Sequence, residues 1–148
     1  MDTKVQKADE TIALDLMAIE AKMLAHPNQV EISVEHIFSG GVYIRQIIIP
    51  KGTWIMGKRH RFESCNMLLK GKLAVYVEEG KPPMMIEGPM IFTSPPLAKK
   101  FAYCMEEAIF ANVLPTDLTD PDEIEKIFII PEQEYLALKG DESCLLSQ

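Results

Sequence analysis

Apolar and polar residues alternate two by two over most of this chain, and that period predicts strands. Val30, Ile32 and Val34 alternate with Glu31, Ser33 and Glu35. After a Gly40-Gly41 turn, Tyr43, Arg45, Ile47 and Ile49 alternate with Ile44, Gln46 and Ile48. Pro50-Lys51-Gly52 turns the chain again, and short strand-like runs follow over residues 53–56, 63–69, 73–78, 84–87, 90–93, 99–104 and 107–114. Lys70-Gly71, Gly80-Lys81-Pro82-Pro83, Gly88-Pro89 and Pro95-Pro96 punctuate them as turn signals. Many short strands with Gly/Pro turns predict an all-β sandwich or barrel.

The two ends read differently. Over residues 9–25, Ile12, Leu16, Ile19 and Met23 recur at helical spacing, while Leu14, Met17, Ala21 and Leu24 form a second arc nearly opposite. A helix apolar on two sides is either surrounded by one core or shared between its own domain and a neighbouring subunit. Asp120-Pro121-Asp122-Glu123 starts a second helix, with Asp at the N-cap and Pro at the first position, running to Phe128. Residues 129–138 are expected to be an extended tail segment, and the last ten to be loose. The expected division is residues 1–29 as tail and helix, 30–116 as barrel, and 117–148 as C-terminal helix and tail.

Composition narrows the function classes. The chain has 148 residues, the size of one domain, and its 47% hydrophobic and 25% charged residues are ordinary for a globular protein. With 22 acidic against 15 basic residues the net charge is −7, which argues against a nucleic-acid backbone binder. No apolar run is long enough to cross a bilayer, and the first residues do not read as a signal peptide, so a cytoplasmic, non-secreted protein with no membrane partner is expected. Cys65, Cys104 and Cys144 have no CxxC spacing and read as reduced thiols, the first two as small buried hydrophobes rather than nucleophiles. No GxSxG, Walker, GxGxxG or HExxH motif is present, so the sequence leans away from an enzyme.

The informative stretch is residues 52–100. Gly52, Lys58, His60, Ser64 and Gly71 fall in a register that resembles the first motif of the cupin superfamily: Gly, five residues, His-x-His, three residues, Glu, six residues, Gly. Gly52, His60 and Gly71 match, Lys58 replaces the first His and Ser64 replaces the Glu. Gly88 opens a degenerate second motif, one residue too far from Pro95, in which Lys100 replaces the third His. The stretch HIFSGGVYIRQIIIPKGTWIMGKRH, with TSPPLAKK and PTDLTDPDEIE, also resembles small cupin-like proteins often encoded by bacteriophages and prophages. The resemblance covers roughly residues 30–115 and implies a double-stranded β-helix, a jelly-roll barrel, and a phage or prophage origin, but no activity.

A cupin metal is held by three imidazoles and one carboxylate, and this chain keeps one of the four. Protonated amines do not ligate a cation and repel it. No cofactor and no divalent metal are therefore expected; any metal would need His60 with His36, Glu63 or Cys65. Lys58, His60 and Lys100 are instead expected to form a positive pocket, with Ser64, for a phosphate, carboxylate or nucleotide. Trp54 and Tyr103 are expected beside it, alternation turning either Phe101 or Tyr103 inward to stack on a planar ligand. Period two also puts Lys58 and His60 on one face and Arg59 and Arg61 on the other.

These residues support a non-enzymatic binder of an anionic small molecule, such as an accessory phage protein that sequesters a host metabolite or nucleotide signal. The alternatives are a degenerate cupin enzyme and an oligomeric structural protein of a phage particle. Self-association as a homodimer or higher oligomer is expected from the two-sided N-terminal helix.

Overall fold

The structure is a computed structural model, and it describes residues 15–77 and 82–146. In order, the elements are helix α1 (Leu16–Ala25), strands β1 (Ser33–Ser39), β2 (Val42–Ile49), β3 (Trp54–Met56), β4 (Ser64–Val77), β5 (Met84–Glu87), β6 (Met90–Ser94) and β7 (Lys100–Pro115), and helices α2 (Pro121–Phe128) and α3 (Glu132–Leu146). All strand pairs are antiparallel. The all-β barrel with helices at its two ends, expected from the sequence, is the architecture found.

Two long strands organise the barrel. The second half of β7 pairs with β2 and with the first half of β4, and β1 and β6 extend this layer on either side. The first half of β7 pairs with β3 and with the second half of β4, which carries β5. Inward residues of both layers border one cavity of about 490 Å³, so the layers face each other across it.

β4 crosses between layers at a run of register shifts from Leu68 to Leu73. Before the shifts Ser64 and Asn66 face inward; after them Leu73 and Val75 do, so the alternation changes phase. Gly71 sits at this kink with φ +99°, and a Cβ there would lie 2.4 Å from the Glu107 carbonyl oxygen. Only glycine allows both the backbone angle and the close approach. Lys70-Gly71 is therefore not a turn: the two strands read from the sequence on either side are one strand, because both halves are held by β7. Residues 99–104 and 107–114 likewise merge into β7.

The core has two parts. Ile47, Ile49, Leu68, Leu73, Ile86, Cys104 and Ala108 pack at one end of the barrel. Tyr43, Leu114 and Ile124 pack at the other, where Leu118 and Phe128 join them and α2 acts as a lid. α2 begins as the sequence implies, with the Asp120 side chain accepting from the Asp122 N–H at 3.0 Å and Pro121 in the first turn.

The terminal segments correct the sequence reading. Residues 132–138 of the expected extended tail, and the described part of the end expected to be loose, are instead α3. Its first turn is fixed by tertiary contacts: Glu132 pairs with Arg59, and Glu134 with Arg61 at 2.9 Å. The described part of the N-terminal helix buries Leu16 and leaves Leu24 75% exposed. Ile12 and Leu14 of the expected stripes lie outside the described residues, as does Cys144's side chain. No helix among the described residues is long and apolar enough to cross a membrane.

Candidate functional site

The cavity owes its chemistry to the inward phase of each strand. On β2, Tyr43 belongs to one apolar end and Ile47 and Ile49 to the other. Arg45, in phase with all three, therefore faces the space between them. Cross-strand pairing continues the row: His36 on β1 stands opposite Arg45, Arg45 opposite Asn112 on β7, and Asn112 opposite Asn66 on β4. All four border the cavity, so a polar belt crosses the wall between two apolar ends.

Hydrogen bonds knit this belt. Asn112 Nδ2 donates to Asn66 Oδ1 at 2.6 Å, Asn66 Nδ2 donates to Ser94 Oγ at 2.8 Å, and the Lys100 ammonium donates to the same Ser94 hydroxyl. His36 Nδ1 and the Tyr43 hydroxyl share a hydrogen bond of 2.7 Å. Asn66 and Ser94 are buried, and their partners meet the need of buried polar groups for hydrogen bonds.

Lys58, His60, Ser64 and Lys100 all border the cavity. Lys58 stands at the rim with its side chain 59% exposed and forms an ion pair with Glu125 of α2. His60 is deeper. Burial, then the charges of Lys100, Arg45 and Lys58, push its imidazole down to about 4, so it is neutral at neutral pH. Burial alone lowers the Lys100 ammonium to about 8. Among the described residues neither Arg45 nor Lys100 has a carboxylate partner. Three cations (Arg45, Lys58, Lys100) border the space against two carboxylates (Asp122, Glu125). The wall keeps one positive charge in excess although the whole chain is acidic.

Two expected members are elsewhere. Trp54 and Tyr103 do not border the cavity. Trp54 is 46% exposed, stacks on Phe101 at 4.8 Å between ring centres, and leans on Tyr103 at 4.7 Å. Phe101 and Tyr103 are two residues apart on β7 and so share a face; with Lys100 and Ala102 turned inward, both point out. No aromatic from that pair is available to stack on a ligand inside. Phe92, which the sequence reading passed over, does border the cavity, with the Lys100 nitrogen 5.4 Å from its ring centre.

The four positions that the motif resemblance aligns with metal ligands, Lys58, His60, Ser64 and Lys100, carry two amines, an imidazole and a hydroxyl. That donor set does not fit a divalent cation, because an amine must lose its proton before it can ligate. The substitute ligands do not repair it. Glu63, just before β4, and Cys65 on it flank Ser64 and do not border the cavity, and His36 is engaged with Tyr43. Among the described residues no three His, Cys, Asp or Glu side chains come together as a metal site.

Arg59 and Arg61 alternate with Lys58 and His60 and turn away from the cavity, as the period predicts. Arg59 is 1% exposed. Its Nε and Nη2 donate to Glu132, at 3.2 and 3.3 Å, its Nη1 donates to the Leu97 carbonyl at 2.8 Å, and its guanidinium lies 3.6 Å from the Tyr135 ring centre. Lys99, beside Lys100, is 3% exposed and reaches Glu20 of α1 at 3.1 Å and Glu132 at 2.9 Å. Arg59 and Lys99, each next in sequence to a cavity-facing lysine, thus fasten both terminal helices to the barrel.

No family model matches the chain, and no curated protein sequence matches it. Solved structures similar to it include an RmlC-like cupin family protein from Methanocaldococcus jannaschii, at 16% identity over 68% of this chain and 91% of that one, with a TM-score of 0.49. Another is KdgF from Halomonas sp., at 15% identity over 68% and 93%, with a TM-score of 0.49. A third is an RmlC-like cupin from Shewanella frigidimarina, at 18% identity over 66% and 92%, with a TM-score of 0.48.

Proposed function

We propose that this chain is a small-molecule binding protein whose barrel holds an anion where related barrels hold a metal. The observation that carries the reading is the pair Arg45 and Lys100: two cations in one cavity wall, without a carboxylate partner among the described residues. A charge enclosed by low-dielectric walls and lacking a counter-ion favours an incoming anion. Arg45 supplies a planar fork suited to a carboxylate or phosphate. Asn66, Asn112, Ser64 and Ser94 add polar groups, and the apolar ends receive the ligand's carbon skeleton. A cavity of about 490 Å³ is in the size range of small-molecule sites. We read the protein as a non-enzymatic binder. For a phage-encoded protein, that activity suits an accessory factor that sequesters a host metabolite or nucleotide signal in the host cytoplasm.

Calorimetry against a panel of nucleoside phosphates and small carboxylates tests the reading. We expect micromolar or tighter binding of at least one anion, and a loss of tenfold or more in Arg45→Ala and in the Lys58→Ala, Lys100→Ala double variant. Unchanged affinity in both variants would sink the site assignment.

A second reading concerns self-association. Trp54, Tyr76, Phe101 and Tyr103 form an aromatic cluster on the outside of the barrel, with Trp54 46% exposed. Exposed aromatic clusters are enriched at protein interfaces. We read this face as the contact of a homodimer. Light scattering of the full chain and of Trp54→Glu checks it; a monomer in both removes the reading.

A further inference from the structure

We propose that Lys100 is a nucleophilic amine that captures the carbonyl carbon of a small anionic aldehyde or ketone as a Schiff base inside the barrel. The inference rests on reading the cavity as an anion site and adds a covalent step to it.

The contrast with Lys58 at the cavity rim and with buried Lys99 carries the argument. Lys58 is paired with Glu125, Lys70 with Glu107, and Lys99 with both Glu20 and Glu132. A carboxylate partner favours the protonated amine and blocks nucleophilic attack. Lys100 instead donates to a neutral hydroxyl, Ser94, which is itself fixed by Asn66. The side chain is held at the cavity wall without an anion to keep it charged. Phe92 lies on one side, its ring centre 5.4 Å from the nitrogen, and burial strips the amine of water. Desolvation of this kind activates lysine amines. With its value near 8, about one Lys100 in ten is neutral at pH 7, against about three in ten thousand for an exposed lysine.

The remaining groups fit the reaction. Nζ of neutral Lys100 attacks the carbonyl carbon, a C–N bond forms, and the C=O π pair moves to oxygen. The resulting carbinolamine loses the nitrogen's proton and the hydroxyl as one water, which leaves a C=N bond with no oxidant or reductant involved. His60 borders the same cavity and is neutral, and the proposal assigns it to accept the nitrogen's proton and return it to the departing hydroxyl. Arg45 offers the counter-ion for the substrate's anionic group. Ile47, Ile49 and Phe110 line the space for its carbon chain.

The full-length protein is incubated with glyoxylate, 2-oxobutyrate or 2-oxoglutarate and cyanoborohydride, and adducts are located by peptide mass spectrometry. In parallel, calorimetry follows 2-hydroxybutyrate, which matches 2-oxobutyrate but has no carbonyl. We expect adduct at Lys100 at least tenfold above that at exposed Lys70 and Lys126, and none in the cavity of Lys100→Arg, which keeps the charge. Adduct spread evenly over surface lysines, or equal labelling of Lys58 in Lys100→Arg, overturns the inference. Binding of 2-hydroxybutyrate without selective labelling overturns the covalent step and leaves the anion site standing. Failure of both measurements overturns the two together.

Discussion

The Lys99 ammonium lies 2.9 Å from Glu132 Oε1 in a site where Lys99 is 3% exposed, and this contact joins the loop before β7 to the start of α3. The same carboxylate takes two hydrogen bonds from buried Arg59. Removing one member of a buried ionic cluster leaves the others uncompensated. Glu132→Ala is expected to destabilise the protein by about 3 kcal/mol, measured by urea unfolding, with α3's helical signal lost first. Glu134→Ala breaks only the more exposed pair with Arg61 and should cost far less than Glu132→Ala.

Gly71→Ala puts a methyl group 2.4 Å from the Glu107 carbonyl oxygen and 2.5 Å from Ala108 Cα, both backbone atoms, at a φ of +99°. Neither strand can yield without breaking the β4–β7 pairing. A loss of about 3 kcal/mol or more is expected in thermal unfolding. By contrast Gly40→Ala meets no atom within 4 Å and should be nearly silent.

Lys100→Met should raise stability while abolishing anion binding. The folded value of Lys100 is about 8, below the ordinary 10.5, so the folded state holds its proton less tightly than the unfolded state. Below pH 8 both states are protonated and the folded protein carries the full cost of the buried charge. Between pH 8 and 10.5 the folded state alone releases the proton, and the cost fades. The variant should gain about 1–2 kcal/mol at pH 7, with little gain near pH 10.5. Equal gains at both pH values would refute this origin.

Acidification should destabilise the fold in two steps. His60 titrates near 4 in the folded state against 6.5 ordinarily, so the unfolded chain takes up a proton first and stability falls as pH drops from 6.5 to 4. Burial raises the Glu132 carboxyl, but the hydrogen bonds and charges of Lys99 and Arg59 outweigh it and hold it below its ordinary 4.5. Its contribution is full above 4.5 and disappears as pH falls through the folded value. His60→Phe should flatten the first step in a pH series of melting temperatures and leave the second.

What local sequence could reveal followed the two-residue period. It separated Lys58 and His60 from Arg59 and Arg61, and the structure sends the two pairs to opposite sides. The same rule, applied to Phe101 and Tyr103, needed only their equal parity to place both outside. Arg45 carried a signal that was passed over: a cation in phase with Tyr43, Ile47 and Ile49 on a strand's apolar face. Asn66 and Asn112 carried none. They meet because β4 pairs with β7 across 46 residues, a register that local pattern does not contain. α3 was hidden for a similar reason. Its start is anchored by Glu132 and Glu134 to arginines 73 residues earlier, while its own pattern is weak.

Apart from exposed Glu106, β7 keeps its even-numbered residues inside, from Lys100 and Ala102 through Cys104 and Ala108 to Phe110, Asn112 and Leu114. One long strand therefore writes on both layers of the wall with a single phase. Inserting or deleting one residue near its middle would turn half of the lining inside out, whereas exchanging side chains at even positions redecorates the chamber without moving the frame. The chemistry of this vessel is thus free to drift by substitution but closed to drift by changes in length.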